Sequence, residues 1–346
     1  MEENKLTVKD FIFKVLNGSA LGVVLALIAN AVLGAILSYV KDVALITTII
    51  QVGVMIQMTV SFMIGALVAF QFGFDAKKAM IVGAAAFAAS GVVKFNPEAG
   101  KYLAAGTGDI INIMLISAIA VLMLMAIKDK FGSVSIILLP IVVGVGAGTI
   151  GVLMYPYVTQ ITVGIGMFIN NLTNLQPLVM SILIGICFAI LIVSPISTVA
   201  IGLAIQLNGL SSGAAAMGVA ATTVLLVVNS LDVNEKGVTI AAGLGGMKMF
   251  MPNLFKYPVI TAPIIFSALI SAIPVALFNI QGTPASSGFG LVGLVSPLAS
   301  LDAGLGFVPL IIAWLIVPIA AAILGKFVFE RILKLYDHKE VFKFQG

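Results

Sequence analysis

Residues 131–160 read FGSVSIILLPIVVGVGAGTIGVLMYPYVTQ, and they open a longer segment, residues 131–231, that contains no Asp, Glu, Lys or Arg. A helix needs about 20 apolar residues to cross the hydrocarbon core of a bilayer, so a segment of this length holds about four crossings. The segment therefore predicts an α-helical protein that passes through a membrane several times.

The composition of the whole chain indicates the same class. Of the 346 residues, 61% are hydrophobic and 9% are charged, whereas soluble domains carry about 25% charged residues. The short alternating segments of a transmembrane β-barrel are missing. We therefore predict one all-α, polytopic membrane domain, 1–346, with about ten transmembrane helices. The predicted spans are residues 16–37, 46–70, 79–93, 110–127, 136–154, 163–172, 178–193, 213–228, 259–278 and 307–324.

The basic residues predict the orientation of the chain, because cytoplasmic loops carry an excess of Lys and Arg. They cluster near both ends and in two internal loops, so both termini are expected in the cytoplasm. The turn at residues 154–160, MYPYVTQ, is uncharged and is expected outside. The residues behind this prediction are Lys5, Lys9, Lys14, Lys77, Lys78, Lys128, Lys130, Lys326, Arg331, Lys334, Lys339 and Lys343.

The chain contains one cysteine, Cys187, and one histidine, His338. Neither a disulfide framework nor a metal site is expected from this pair. His338 lies in the charged C-terminal tail and is expected to be solvated. The net charge of +4 fits membrane topology and gives no reason to expect a nucleic-acid partner. No nucleophile–base arrangement or phosphate-binding loop is visible, so no catalytic residue, cofactor or metal is predicted.

An internal repeat is one possible organisation, since many transporters are built from inverted halves. Residues 77–97, KKAMIVGAAAFAASGVVKFNP, are followed by SAIAV, and residues 235–253, EKGVTIAAGLGGMKMFMPN, are followed by SAIPV. The predicted halves are residues 1–156 and 157–346. The alternative is that small residues recur in any set of closely packed membrane helices.

Three segments are too short or too rich in glycine to be ordinary spans: residues 94–108, 196–209 and 279–304. The last reads NIQGTPASSGFGLVGLVSPLASLDAG between two apolar runs. It is either a loop in water or a re-entrant element, because irregular backbone at membrane depth must be buried by protein or line a water-filled cavity. The apolar residues LVGLV within it favour a re-entrant element. A proline within SPISTVAIGLAIQLNG indicates a second broken helix at residues 194–209.

Polar residues in and near these interrupted segments are the candidate contacts of a small polar solute. Amides and hydroxyls both donate and accept hydrogen bonds, which suits a neutral polyhydroxy ligand such as a sugar. The alternative for each is a structural hydrogen bond between helices. The candidates are Ser197, Thr198, Asn208, Glu235, Asn253, Thr283, Ser286 and Ser287.

Several stretches resemble a known family. Residues 13–34, FKVLNGSALGVVLALIANAVLG, residues 194–201, SPISTVAI, and residues 251–272, MPNLFKYPVITAPIIFSALISA, followed by QGTPASSGFGLVGL, are similar to the membrane-embedded IIC-type subunits of sugar phosphotransferase systems, including the perfringolysin regulator-like proteins. The resemblance runs over nearly the whole chain, and TPASSGFG is its most specific part.

The resemblance implies a dimeric bacterial inner-membrane protein that binds and translocates a sugar by an elevator-like or rocking motion. It also implies separate IIA and IIB proteins that carry phosphate on His or Cys. This chain lacks the intramembrane histidine that well-studied IIC proteins use beside a glutamate. Two other functions therefore stay open: an ion-coupled transporter that works without phosphotransfer, and a membrane sensor that regulates gene expression without solute flux.

Overall fold

The computed structural model describes residues 6–34, 37, 40 and 43–345. These residues are almost entirely helical, which confirms the all-α polytopic class. Lys5 and part of the predicted span 16–37 lie outside the described residues. In chain order the α-helices are α1 (Val8–Ala29), α2 (Ala44–Met58), α3 (Val60–Gln71), α4 (Ala76–Ala89), α5 (Ile110–Ile127), α6 (Ser135–Leu139), α7 (Gly146–Leu172), α8 (Pro177–Leu191), α9 (Thr198–Ala204), α10 (Gly209–Ser230), α11 (Lys236–Gly243), α12 (Met251–Lys256), α13 (Thr261–Leu277), α14 (Val295–Asp302), α15 (Phe307–Ile311), α16 (Val317–Lys326) and α17 (His338–Val341).

Short turns of other helix types connect or extend several of these helices. π-helical turns are frequent at functional sites and at bends of long helices. Here they follow α1 and α6 and flank α16. The π-helical turns are Asn30–Gly34, Pro140–Val145, Ile312–Ile316 and Phe327–Ile332, and the 3₁₀ turns are Gly132–Val134, Met247–Phe250, Pro258–Ile260 and Val292–Leu294.

Within the described residues, six helical stretches are long and apolar enough to cross a membrane, and the α2–α3 pair, bent by 47°, brings the number to seven. The count of about ten predicted from sequence is higher. One reason is that the predicted spans 79–93 and 178–193 correspond to α4 and α8, which have 14 and 15 residues. Both are shorter than the about 20 residues that a full crossing requires.

The second reason is that the predicted spans 136–154 and 163–172 are parts of one continuous helical stretch, Gly132–Leu172, of 41 residues. The turn predicted around Tyr155 is wrong, because Pro156 lies inside α7 without ending it. The hydroxyl of Thr159 donates to the Tyr155 carbonyl at 2.9 Å. The amide of Gln160 donates to the Pro156 carbonyl at 3.3 Å. These bonds tie side chains to the backbone of the same turn, whereas the carbonyl that Pro156 leaves without a helical donor is that of Val152, four residues earlier.

The predicted interruption at residues 94–108 is a β-hairpin. Strands β1 (Val93–Asn96) and β2 (Lys101–Ala104) pair antiparallel, with Val93 opposite Ala104 and Asn96 opposite Lys101. β2 is exposed along its whole length. A two-stranded hairpin buries little apolar surface by itself, so this one is an appendage to the helices that flank it.

The chain divides into two compact units. The first unit takes the described parts of residues 1–29 and 51–160, and the second takes the described parts of residues 30–50 together with residues 161–345. The division into repeat halves at residue 156 stays a prediction.

In the first unit, α1, α3, α4 and α5 pack around an apolar core that includes Val23, Ile64 and Val82. Glycines allow the backbones to touch, as is common between membrane helices. A Cβ on Gly18 of α1 would lie 2.5 Å from the Cα of Val68 in α3. No larger residue fits there without separating the two helices.

Polar groups of the first unit tie helix ends and helix pairs together. Asp109 caps α5, and its side chain accepts a hydrogen bond from the backbone N–H of Asn112 at 2.9 Å. The side-chain amide of Asn112 is buried and donates to the Ala89 carbonyl at 2.7 Å and to the Gly151 carbonyl at 3.1 Å. One side chain thereby joins α4, α5 and α7.

In the second unit, α10 is the central helix, and nearly all of its residues are buried. α8, α13 and α16 pack against it. A Cβ on Gly218 of α10 would lie 1.9 Å from the carbonyl oxygen of Gly185 in α8. The hydroxyl of Thr222 donates to the Ala189 carbonyl at 2.9 Å, so α8 and α10 are joined by close backbone approach and by a hydrogen bond.

Candidate functional site

The first interrupted segment, residues 192–208, lies between α8 and α10 of the second unit. The chain leaves α8 after Leu191 because Pro195 has no N–H to continue the helix. Ser194 is buried, and its hydroxyl donates to the Leu191 carbonyl at 2.8 Å. The side chain of Ser197 then caps α9 by accepting a hydrogen bond from the Ala200 N–H at 3.2 Å.

The short helix α9 ends almost as soon as it begins. Gln206 adopts a φ of 52°, a left-handed conformation that ends a right-handed helix. Asn208 then caps α10, with its side-chain oxygen accepting from the Gly209 N–H at 2.9 Å. The sequence prediction of a broken helix at residues 194–209 agrees with this arrangement.

The second interrupted segment, residues 278–294, lies between α13 and α14. It folds on its own hydroxyl groups. The backbone N–H of Thr283 donates to the Ser286 hydroxyl at 2.9 Å, and the backbone N–H of Ser286 donates to the Thr283 hydroxyl at 3.2 Å. The hydroxyl of Ser287 donates to the Pro284 carbonyl at 2.9 Å. Hydroxyl side chains here satisfy backbone groups that a helix would otherwise pair internally.

Two serines of α14 complete the hydrogen bonding of the second segment. Ser296 donates to the Ser286 carbonyl at 2.7 Å, and Ser300 donates to the Gln281 carbonyl at 2.9 Å. Both serines are about 1% exposed. The segment is therefore buried by protein along much of its length, as irregular backbone among membrane helices requires.

The first interrupted segment and the first turn of α10, which follows it, both contact the second segment directly. Gly209 and Gly282 form an isolated antiparallel bridge, with each N–H donating to the other carbonyl at 3.0 Å. The hydroxyl of Thr198 donates to the Gly288 carbonyl at 3.0 Å. The hydroxyl of Ser212 donates to the Thr283 carbonyl at 2.6 Å. These contacts join residues that are 71 to 90 positions apart in sequence.

Lys248 is a buried basic residue beside the first interrupted segment that the sequence analysis did not single out. It lies in the 3₁₀ turn Met247–Phe250 and is 7% exposed. Its Nζ donates to the Ser194 carbonyl at 2.6 Å and to the Ile196 carbonyl at 2.7 Å. Both carbonyls belong to the break after α8. Among the ion pairs of the described residues, none involves Lys248. The sequence signal for Lys248 is its position as a single lysine in the otherwise uncharged run GLGGMKMFMPN.

The structure brings six of the eight candidate residues together. Thr198, Ser286 and Ser287 are buried, with their hydroxyls bonded to the backbone. Asn208 and Thr283 are exposed, and Ser197 is half-buried. The six therefore divide into buried groups that hold the two segments in shape and accessible groups that can reach a ligand. The six are Ser197, Thr198, Asn208, Thr283, Ser286 and Ser287.

The other two candidates lie at the C-terminal tail. Asn253 is buried in α12, and its amide nitrogen donates to the Val341 carbonyl at 2.8 Å and to the Lys343 carbonyl at 2.7 Å. Glu235 is exposed and precedes α11, where its side chain makes no capping hydrogen bond. Neither contacts the interrupted segments through any hydrogen bond of the described residues, and their predicted role as solute contacts stays a prediction.

The expectation that His338 is solvated is wrong. His338 is buried, because residues distant in sequence surround it. Its Nδ1 lies 2.6 Å from the Glu330 carboxylate, and its Nε2 lies 2.8 Å from the Asp232 carboxylate. Burial alone would raise the pKa of the Asp232 carboxyl, but hydrogen bonds from His338 and Lys326 outweigh it and hold that pKa at about 2.

The ligand atoms of Glu330, Asp337 and His338 all lie within 4.8 Å of one another, so this group could hold a metal ion, which was not expected from one Cys and one His. Carboxylates supply the additional ligand atoms that the count of Cys and His overlooks. Both ring nitrogens of His338 already have carboxylate partners. The hydrogen bonds of the tail therefore account for the geometry without a metal.

These features define a class of protein: a polytopic α-helical membrane protein whose helix breaks are buried by protein, as is typical of transporters. A comparison with protein-family models matches residues 13–343 to the family described as Phosphotransferase system, EIIC. The match covers nearly the whole chain, and this chain belongs to that family, as the resemblance predicted. No curated protein matches the chain. Members of the family are phosphotransferase-type membrane subunits that take a sugar and usually work with separate IIA and IIB components.

Proposed function

We propose that this chain carries one sugar across the membrane and holds it at the interrupted segments 192–208 and 278–294. The observation that carries the proposal is the hydrogen bonding that joins the second segment to the first segment through the Thr198 hydroxyl, and to the start of α10 through the Gly209–Gly282 bridge and the Ser212 hydroxyl. The bonding holds irregular backbone beside the hydroxyl and amide side chains of Ser197, Asn208 and Thr283, which are not buried. Transporters place their substrate sites at such broken helices.

The proposal assigns different roles to the six residues. Ser197, Asn208 and Thr283 contact the sugar, because their side chains are not buried. Hydroxyl and amide groups both donate and accept, so they match the hydroxyls of a sugar without requiring a charge. Thr198, Ser286 and Ser287 are positioning residues, since their buried hydroxyls bond to the backbone of the second segment.

Lys248 has a positioning role in the same proposal. Two carbonyls after α8 have lost their helical donors, and the Lys248 amino group bonds to both. Buried carbonyls without a donor are costly. Lys248 therefore fixes the course of the chain from α8 to Ser197, one of the proposed sugar contacts.

The re-entrant course of residues 279–304 is part of the proposal. Its support is the burial of Ile280, Ser286, Ser287 and Val292. A homodimer and cytoplasmic termini are also proposed, on the family resemblance and on the distribution of lysines. Distances between spin labels on two copies of the chain in vesicles test the homodimer. Labelling of cysteines introduced at the termini, from each side of the membrane, tests the orientation.

Uptake into proteoliposomes tests the proposed function. Purified chain is reconstituted and exposed to a panel of labelled sugars, with and without IIA and IIB proteins and a phosphoryl donor. We expect one sugar to accumulate as its phosphate only when all components are present. Uptake of free sugar without them would indicate an ion-coupled or facilitative transporter. Saturable binding without any uptake would instead indicate a sensor and would refute transport.

A single substitution tests the placement of the site. Thr283→Val keeps the shape of the side chain and removes an exposed hydroxyl, so sugar affinity should fall by about tenfold, the loss of one or two hydrogen bonds. Thr173→Val is a matched control, because the Thr173 hydroxyl makes a similar local bond to the Asn170 carbonyl at 2.7 Å. Equal affinities for both variants, measured by calorimetry, would place the sugar elsewhere.

A further inference from the structure

A cavity of about 400 Å³ with charged residues in its lining lies at one end of the first unit. It is lined by three lysines: Lys77 and Lys78 in the first turn of α4, and Lys128 at the end of α5. Two carboxylates, Asp75 and Asp129, also line it. Lysines therefore outnumber acids, and an anion would be favoured in this cavity.

The two carboxylates neutralise the lysines only in part. The side chain of Asp75 accepts from the Lys78 backbone N–H at 2.9 Å, where it caps α4. Asp129 lies 3.7 Å from the Lys78 Nζ, and its side chain is 98% exposed. Such an exposed, long ion pair is weak. Lys77 and Lys128 are exposed and form no ion pair among the described residues.

An apolar groove of about 580 Å³ continues from this cavity, because Ile81 and Pro140 line both. The groove runs between α4 and the helical stretch that begins at Gly132. Small residues of α4 form one wall and small residues of α7 and the turn before it form part of the other, which leaves room between the helices. The small residues that line it are Ala84, Ala88, Gly144 and Gly148.

The length of this surface matches one half of a bilayer. From Lys77 to Ala88, α4 rises by about 16 Å, at about 1.5 Å per residue. The hydrocarbon core of a bilayer is about 30 Å thick, so one leaflet is about 15 Å deep. The positions of the lysines predict that this end of the chain faces the cytoplasm, where anionic lipids give the membrane a negative surface potential.

We propose that this face of the first unit binds one anionic phospholipid, with its phosphate at Lys77, Lys78 and Lys128 and an acyl chain in the groove along Ala84 and Ala88. The charge of the cavity selects the head group, and the apolar groove that adjoins it selects a lipid over a free anion. Basic pockets next to membrane helices recognise anionic head groups by the same physical rule.

Native mass spectrometry of the detergent-purified full chain tests this proposal, with phosphatidylglycerol and phosphatidylcholine of equal chain length as probes. We expect tighter binding of phosphatidylglycerol by at least tenfold. The triple variant Lys77→Gln, Lys78→Gln, Lys128→Gln should lose this preference, because each lysine near anionic lipid contributes about fivefold. Binding of phosphatidylcholine should stay unchanged.

A control variant removes the same charge elsewhere. Lys101, Lys334 and Lys339 are exposed and lie outside the cavity, and their triple change to Gln should leave the preference intact. Ala84→Leu provides a test that leaves all lysines in place. Ala84 is exposed, so a leucine fills the groove without disturbing the core. It should weaken binding of long-chain phosphatidylglycerol and spare the short-chain dihexanoyl lipid.

Three outcomes would overturn the proposal. The first is equal retention of the two lipids by the unmodified chain. The second is equal loss in the two triple variants when thermal unfolding shows both to be folded. The third is a shift of Ala84→Leu between monomer and dimer with no change in lipid retention, which would make the groove an interface between copies of the chain.

Discussion

α10 and the second interrupted segment approach each other closely at Gly213. A Cβ on Gly213 would lie 2.0 Å from the carbonyl oxygen of Ile280 and 2.8 Å from its carbonyl carbon. Favourable carbon–oxygen contacts begin at about 3.3 Å, so Gly213→Ala requires the two backbones to separate by about 1.3 Å.

The separation should disrupt the neighbouring contacts between α10 and the second segment. The Gly209–Gly282 bridge has two hydrogen bonds of 3.0 Å, and the Ser212 hydroxyl bonds to Thr283 at 2.6 Å. Overpacking costs about 1–3 kcal/mol, and each lost hydrogen bond adds about 0.5–1.5 kcal/mol. With one or two bonds lost, we expect Gly213→Ala to lower the free energy of unfolding by about 1.5–6 kcal/mol.

Thermal unfolding in detergent and sugar uptake in proteoliposomes measure the effect. The unfolding midpoint should fall by on the order of 5–10 °C at a fixed scan rate, and uptake should be lost. Gly164→Ala is the control: it lies in α7 with nothing within 4 Å of the added Cβ, so alanine should be neutral or slightly stabilising. A Gly213→Ala protein with unchanged midpoint and unchanged uptake would contradict the close approach and its role in the site.

Three further predictions concern polar groups that are held by distant partners. Lys248→Met should destabilise the chain and reduce uptake because two buried carbonyls lose their donor, at about 1–3 kcal/mol each; exposed Lys236→Met is the control, and equal midpoints for the two would refute the role of Lys248. Asn253→Ala should release the C-terminal tail, so proteolysis of residues 338–345 should become faster while the affinity for the sugar stays unchanged. If the variant lost sugar affinity while its tail stayed protected from proteolysis, Asn253 would be a sugar contact. The pKa of the Asp232 carboxyl is held at about 2, below its usual 3.8, so its stabilising contribution should be full above about pH 4 and lost as the pH falls through about 2. Asp232→Asn should remove that part of the pH profile of the unfolding midpoint, and an identical profile in both proteins would show that Asp232 does not stabilise the tail.

The sequence predicted the interrupted segments well because their signals are local. Pro195, the glycines around Ser286 and the clustered hydroxyls each disfavour helix at their own positions. The sequence could not show that the two segments bond to each other, since Thr198 and Gly288 are 90 residues apart. For the same reason the prediction that His338 is solvated was wrong, because its partner Asp232 lies 106 residues earlier in the sequence. It also hid Lys248, whose bonds reach back by 52 and 54 residues.

Helix continuity shows the limit within a single element. The turn predicted around Pro156 followed from a proline beside polar residues, yet α7 continues through it. A proline costs a helix one hydrogen bond and a steric contact, and tertiary packing can offset that cost. Whether packing offsets the cost of a proline depends on neighbouring helices, which the local sequence pattern does not identify.

The amino-acid sequence alone determined that lipid surrounds most of this protein, and therefore that it is an α-helical membrane protein. A chain with 9% charged residues and an uncharged segment at residues 131–231 must be helical where lipid surrounds it, because backbone in lipid pairs only in helices or closed barrels and the alternating segments of a barrel are missing. Tertiary structure alone decided which helix breaks meet, which hydroxyls face outward and which lysine is buried. Those choices depend on contacts between residues tens of positions apart, and such contacts form only when the helices pack.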